Sequence, residues 1–194
     1  MLIGLFLFIL ATICSPGAAN LLAADGGARV GVRRSAGLIA GIAATCLLVV
    51  ALCAAGVGAL VTAAPPVRLA LRVVGSVYLL WLASRILQSH APGGDRAEQP
   101  PRFRTGVLST AVNPKTWTVG LAASAGFSGL APSPLLLVAL LTAAFAVVVV
   151  PNLFAWAWLG AWIGDHLATP RRWRAFASVL CLLLVVSVAT LWLD

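Results

Sequence analysis

Apolar residues occupy most of this chain in long runs that contain no charged side chain. Such runs cover residues 1–24, 35–67 and 116–164, and short segments rich in arginine, glycine and proline separate them. A helix needs about 20 consecutive apolar residues to cross the hydrocarbon core of a bilayer. The pattern therefore predicts an all-α integral membrane protein.

Proline, glycine and charge positions divide the runs into six predicted transmembrane helices. They cover residues 2–24 with an interruption at Pro16, 35–63, 67–87, 105–128, 134–164 with a kink at Pro151, and 175–193. No basic residue precedes the first run, so it is predicted to remain as a helix and not to be cleaved as a signal. Residues 89–104, rich in proline, glycine and charge, predict a flexible cytoplasmic loop. It separates a first three-helix unit, residues 1–88, from a second, residues 105–194, within one membrane domain.

The composition excludes several classes of protein. Of the 194 residues, 61% are hydrophobic and only 9% are charged, whereas a soluble domain carries about a quarter charged residues. A soluble enzyme and a disordered chain are excluded on this ground. A nucleic-acid partner is excluded because its binding requires basic residues on a polar, soluble face. The four cysteines lie in apolar stretches without a CxxC pair, which predicts no metal, no disulfide and no cofactor.

The basic residues predict the orientation in the membrane. Ten of the 13 fall near the loops after the first, third and fifth helices, whereas only Arg68 and Arg72 fall on the other side and Lys115 lies within a helix. Basic residues concentrate on the cytoplasmic side of membrane proteins. Both termini of this multi-pass protein are therefore predicted to lie outside the cytoplasm.

Two similar words interrupt the first and fourth helices. Thr12-Ile-Cys-Ser-Pro-Gly17 and Thr110-Ala-Val-Asn-Pro-Lys115 match at an offset of 98 residues. Three helices separate the two breaks, so the halves run in opposite directions, as in the inverted repeats of secondary transporters. Pro16 is nine residues from Asp25 and Pro114 ten from Arg104, which places both breaks about 13–15 Å from the cytoplasmic face. Both then lie near the middle of a core about 30 Å thick.

Residues at these breaks form the predicted substrate-binding site: Pro16, Gly17, Asn20, Asn113, Pro114 and Lys115. Each proline is expected at the first position of a new half-helix, whose N-terminal N–H groups favour anions. Lys115 adds a positive charge at a depth where charge is costly. The pattern indicates a site for an anionic group such as a carboxylate, with Asn152 as a further candidate for its wall.

Other polar residues have weaker assignments. Asp25 and Arg29 are expected to pair at the membrane interface, and Asp165 to lie at a solvated helix end. Asp25 and Asp165 are the candidates for carrying a coupling proton. Trp117 is expected to pack or to lie at the interface.

Several of these segments resemble the lysine exporter (LysE) family, particularly its RhtB-type threonine/homoserine exporter branch. The similar segments are Ser15-Pro-Gly17 with Asn20, Gly31-Val-Arg-Arg-Ser-Ala-Gly37 continuing to Gly41, Gly75-Ser-Val-Tyr-Leu-Leu-Trp-Leu82, and Phe103-Arg-Thr-Gly106 leading to Asn113-Pro-Lys115. The resemblance implies a six-helix inner-membrane exporter of amino acids or similar metabolites, driven by proton exchange. Ala18 stands where the family has a second proline, and Ala44-Thr45 where a further glycine is usual.

Three alternatives to an exporter remain. A thiol-redox carrier on the same scaffold needs a cysteine in each broken helix, but the residue matching Cys14 is Val112. A metal carrier needs intramembrane carboxylates or imidazoles, and the sequence has none of these at mid-membrane positions. A structural membrane subunit explains the hydrophobicity but not the two matched breaks.

We therefore expect a transporter that is not an enzyme, whose partners are a small molecule and the lipid bilayer; a homo-oligomer is left open. One three-helix half is expected to move against the other.

Overall fold

A computed structural model describes residues 1–57, 65–88, 102–166, 169–190 and Trp192. Its elements are α1 (Leu2–Ile13), α2 (Ala18–Arg34), α3 (Ala36–Ala54), α4 (Pro65–Leu87), α5 (Phe103–Ala111), α6 (Pro114–Gly126), a 3₁₀ turn (Ser128–Leu130), α7 (Pro134–His166) and α8 (Pro170–Thr190). The described residues contain no strand. The predicted loop 89–104 lies outside the described residues except for its last three, of which Phe103 and Arg104 already belong to α5.

Helices α3, α4, α7 and α8 are each long and apolar enough to cross a membrane alone, and α1 with α2 passes the same test as a pair bent by 59°. This chain is a multi-pass membrane protein. Helices α5 and α6 are too short to cross singly, because at 1.5 Å per residue they measure about 14 and 20 Å. Many large side chains, including Leu135, Val147 and Trp158, are exposed on the outer surface, as expected for a surface that faces lipid.

Two predicted helix ends were wrong. Helix α3 ends at Ala54, well before the predicted end at residue 63, because Gly56 adopts φ 86° and its N–H bonds to the carbonyl of Cys53. A glycine in the left-handed region is a common helix terminator. Helix α2 continues beyond the predicted end at Ala24, is kinked at Gly31 (φ 79°, ψ 164°) and ends at Arg34, so Asp25 and Arg29 lie inside a helix.

Each broken helix packs mainly on the other half of the chain. Helix α2 lies against α7, whereas α5 and α6 lie against α3, and α4 lies against α8. Glycines bring backbones together at two of these crossings: a Cβ at Gly27 would overlap the carbonyl of Ala157, and one at Gly41 would overlap that of Phe103. Small residues are the usual means of close helix approach in membranes.

The buried core has two parts. The larger includes Leu5, Ile42, Leu141 and Phe145 and joins α1, α2, α3 and α7 with parts of α4 and α6. The smaller, with Leu79 and Leu184, joins α4 and α8 to the start of α2. The two breaks lie between helices of the larger part.

Candidate functional site

The first break separates α1 from α2 by residues 14–17. Pro16 has no N–H and cannot continue the ladder of α1, and Gly17 is the N-cap of α2. Helix α2 therefore begins at Ala18. The expectation that Pro16 starts the second half-helix was wrong, because Gly17 has extended backbone angles, φ −166° and ψ 170°.

Side chains from α2 and α7 satisfy the carbonyls that this break frees. Asn20 Nδ2 donates to the carbonyl oxygens of Ile13 (2.7 Å) and Ser15 (3.0 Å). Asn152 Nδ2 donates to Asn20 Oδ1 at 2.8 Å and to the Ile13 carbonyl at 3.4 Å. Lipid offers no donor to such groups. The Asn20 amide is thus engaged in holding the break, and only a lone pair on Oδ1 remains for a ligand.

Replacing Asn20 by leucine should lower the free energy of unfolding by about 2–4 kcal/mol. The change keeps the size of the side chain but leaves two carbonyls with fewer donors, and an unsatisfied buried group costs about 1–3 kcal/mol. Thermal unfolding of the detergent-solubilised protein measures this. Thr118→Val is the control, since Thr118 lies 98 residues on, is exposed and bonds only to the Pro114 carbonyl. Equal unfolding temperatures for the two variants would contradict the assignment.

The second break is built in a related way with different chemistry. Helix α5 ends at Ala111, and α6 begins at Pro114, which occupies its first position as predicted. Asn113 Oδ1 accepts from the backbone N–H of Lys115 at 3.1 Å, so this helix end is capped. Trp117 Nε1 donates to the carbonyl of Ala111 at 2.9 Å. Trp117 therefore has a polar role that its expected packing assignment missed.

The offset of 98 residues relates the two capped carbonyls. Ile13 and Ala111 are equivalent under this offset, and each carbonyl accepts a hydrogen bond from a side chain of the half-helix that follows. An amide performs this task at the first break and an indole at the second. The correspondence at this offset thus extends from the sequence words to one hydrogen bond at each break.

A cavity of about 60 Å³ lies between the two breaks. One water needs about 10–15 Å³ on this measure, so the cavity has room for about four. Its wall takes residues from both breaks and from α3, α6 and α7: Thr12, Ile13, Ser15, Gly17, Ala18, Ala19, Asn20, Ile42, Cys46, Val50, Thr110, Asn113, Lys115, Thr116, Val119, Phe145, Val149, Asn152 and Leu153. The lining is mainly apolar with a few polar groups, as is usual for small-molecule sites.

The predicted site residues divide into two groups. Gly17, Asn20, Asn113 and Lys115 line this cavity, together with Asn152. Pro16 is exposed, Pro114 is half-buried, and neither belongs to the lining. The prolines create the breaks, whereas their neighbours form the wall.

Lys115 joins the two breaks directly. Its Nζ donates to Ser15 Oγ at 2.7 Å, and Ser15 Oγ donates to the carbonyl of Thr12 at 2.9 Å. Nζ lies only 3.3 Å from where a Cβ on Gly17 would stand, so a side chain there would crowd the ammonium group. The cation is therefore held beside the start of α2.

Positive potential concentrates at the first helix end more than at the second. In the described part of the chain no side chain caps the N-terminus of α2, whereas Asn113 caps α6. An uncapped helix N-terminus carries about half a positive charge, and Lys115 adds a full one. None of the described residues lining the cavity is a carboxylate. The sequence predicted that the N-termini of both half-helices attract an anion. In the structure the N-terminus of α2 is the better candidate, because Asn113 caps that of α6.

The two candidate coupling residues lie outside the cavity lining. Asp25 is buried and pairs with Arg29, with 3.0 Å between Oδ2 and Nη2. The predicted pair exists, but it lies within the packed length of α2 and not at the end of a helix. Asp165 is exposed near the end of α7.

Sequence reasoning missed the apolar wall and four polar residues of the lining, Thr12, Ser15, Thr110 and Thr116. Ile42, Cys46 and Val50 recur every four residues on α3, and Phe145 and Val149 do so on α7. Nothing distinguishes these positions from the other apolar residues of the same helices. Thr110 also belongs to the lining, and its place in the repeated word was the available signal.

Comparison with known proteins points to one family. A family model described as LysE type translocator matches residues 10–193. The cysteine/O-acetylserine efflux protein of Klebsiella pneumoniae is 32% identical over 127 residues, 65% of each chain. The proteins of the same name from Salmonella choleraesuis and Salmonella typhimurium are 32% identical over 120 residues, 62% of each chain. The matches thus cover somewhat less than two thirds of these relatives, and no solved structure matches significantly.

Proposed function

Because this chain belongs to the LysE type translocator family, we propose that it is a secondary transporter that exports small amino acids across the bacterial plasma membrane in exchange for protons. The observation that carries the proposal is the cavity in which Lys115 of one break contacts Ser15 of the other. Transporter sites commonly lie between discontinuous helices near the bilayer midplane.

The proposed architecture has six transmembrane helices in two inverted three-helix repeats. The first repeat is the broken pair α1–α2 with α3 and α4, and the second is the broken pair α5–α6 with α7 and α8. Exchanging the halves preserves the main packing pattern, since each broken pair packs mainly on the helix that directly follows the broken pair of the other half: α2 packs on α7, and α5 and α6 pack on α3. Both termini are proposed to lie outside the cytoplasm, which a map of cysteine accessibility in intact cells tests.

The proposed substrate is a small amino acid with a neutral side chain. The relatives are named for the efflux of cysteine and O-acetylserine, whereas the sequence motifs resemble the threonine/homoserine branch. All four compounds carry a carboxylate and an ammonium group on the α-carbon, and each has a short, neutral side chain. The carboxylate is proposed to bind at Lys115 and the start of α2, and the short side chain to lie against the apolar wall of α3 and α7.

The proposed mechanism is alternating access. The substrate carboxylate takes over the hydrogen bond from Lys115 Nζ that Ser15 Oγ now accepts, so substrate binding loosens the direct link between the two breaks. Asp25 is the proposed carrier of the coupling proton. It is buried beside a basic partner, whereas Asp165 is exposed near the end of α7.

Transport in inside-out vesicles tests this function. We expect vesicles with the protein to take up labelled L-cysteine and O-acetylserine faster than vesicles without it, and an acidic lumen to increase the rate. Asp25→Asn should retain uptake down a substrate gradient but lose the response to the pH gradient, whereas Asp165→Asn should retain both. Uptake equal to that of empty vesicles for all four amino acids would contradict the proposal.

A further inference from the structure

Thr110 carries a buried hydroxyl group with no observed partner. It lies in the last turn of α5, is 2% exposed and belongs to the cavity wall. Among the described residues, no group makes a hydrogen bond with its Oγ1. Burying a hydroxyl without a partner costs free energy, so such a group in a cavity wall calls for an explanation.

Comparable hydroxyls nearby are satisfied within their own helices. Thr12, the equivalent of Thr110 in the first half, lines the same cavity, but its Oγ1 donates to the Phe8 carbonyl at 2.8 Å. Ser109, the neighbour of Thr110, donates to the Gly106 carbonyl at 3.0 Å. Helical serine and threonine often bond in this way. Among these three residues, Thr110 is the one whose hydroxyl makes no hydrogen bond with a described residue.

The position of Thr110 suits a positively charged group. The C-terminal turn of a helix carries a partial negative charge, and Thr110 lies in that turn of α5. The opposite charge is concentrated at Lys115 and the start of α2. The lining therefore combines a positive region, at Lys115 and the start of α2, with the C-terminal turn of α5 at Thr110, and a molecule that carries both a carboxylate and an ammonium group has a use for each.

We propose that Thr110 Oγ1 accepts a hydrogen bond from the α-ammonium group of the transported amino acid, which makes Thr110 the residue that selects amino acids over simple carboxylic acids. This inference rests on the proposed export function and adds the contact that recognises the amino group. The carboxylate contact at Lys115 is separate from it.

Thr110→Val tests the contact, because valine keeps the branched shape and removes the hydroxyl. In vesicles, the variant should raise the KM for L-cysteine by about tenfold or more, the range for a hydrogen bond to a charged group. The inhibition constant of 3-mercaptopropionate, which is cysteine without its amino group, should stay within about twofold of its wild-type value. Thr118→Val is the matched control, because Thr118 lies outside the cavity lining and its hydroxyl donates to the Pro114 carbonyl of its own helix; it should change neither value, and Thr110→Ser should restore the KM.

Thermal unfolding without ligand separates a binding role from a structural one. Since none of the residues that the structure describes bonds to the Thr110 hydroxyl, Thr110→Val should unfold at the same or a higher temperature than the wild type. A lower unfolding temperature, an unchanged KM for cysteine, or an equal loss for cysteine and 3-mercaptopropionate would overturn the inference while leaving export intact. Absence of amino-acid transport by the wild type would overturn both proposals.

Discussion

Lys115→Met should reduce amino-acid export by about 10- to 100-fold. The substitution keeps most of the length of the side chain and removes the charge that lies against Ser15 and Gly17. A hydrogen bond to a charged group contributes about 1.5–3 kcal/mol, which corresponds to this range. The loss should appear mainly as a higher KM in the vesicle assay, because the lost contact is the one proposed to hold the bound carboxylate.

Two variants make this result specific to the cavity. Arg85→Met also removes one positive charge, but Arg85 lies on α4 near the ring of Trp81 and outside the cavity lining, so the KM should not change. Ser15→Ala removes the partner of Lys115 and keeps the cation, so export should fall by no more than about fivefold. Normal export by Lys115→Met would remove Lys115 from the site.

Gly27→Ala should lower the unfolding temperature by about 5–10 °C or prevent accumulation of folded protein. A Cβ at Gly27 would overlap the backbone carbonyl of Ala157, and a backbone atom cannot rotate away as a side chain can. Overpacking costs about 1–3 kcal/mol or more, and each kcal/mol shifts the unfolding temperature of a chain of this size by about 2–4 °C.

Gly126→Ala is the matched control for this helix crossing. Gly126 ends α6, and no other atom lies within 4 Å of a Cβ placed there. Alanine favours a helix over glycine by up to about 1 kcal/mol, so this variant should be as stable as the wild type or slightly more stable. Similar losses for Gly27→Ala and Gly126→Ala would show that the crossing of α2 and α7 tolerates separation.

The sequence predicted the features that depend on local chemistry. Proline cannot extend a preceding helix, so both breaks, the start of α7 at Pro134 and the start of α4 at Pro65 agree closely with prediction. Lys115 and Asn152 were recognised as candidates because polar residues are rare in such apolar surroundings. These signals need no knowledge of which helices are neighbours.

Features that depend on neighbours could not be predicted in this way. The early end of α3 follows from a left-handed conformation at Gly56, but many glycines in this chain lie inside helices. The burial of Asp25 required the position of α2 against other helices. The hydrogen bond of the Trp117 indole could be identified only from the structure of the second break. The same holds for the Thr110 hydroxyl, which bonds to none of the described residues. Membrane helices are apolar on nearly every face, so their sequences do not indicate which face meets a partner.

The contact between the backbones of α2 and α7 also determines which parts of the protein can separate. Gly27 and Gly160 hold these helices in direct backbone contact, and Asn152 fastens α7 to the first break. Gly41 and Gly106 hold α3 against α5 in the same way. Each of these closely packed pairs takes one helix from before residue 89 and one from after residue 101, so the units that move in the proposed transport cycle would combine both halves of the chain. A chain cut between these halves would place the two helices of each pair on different polypeptides.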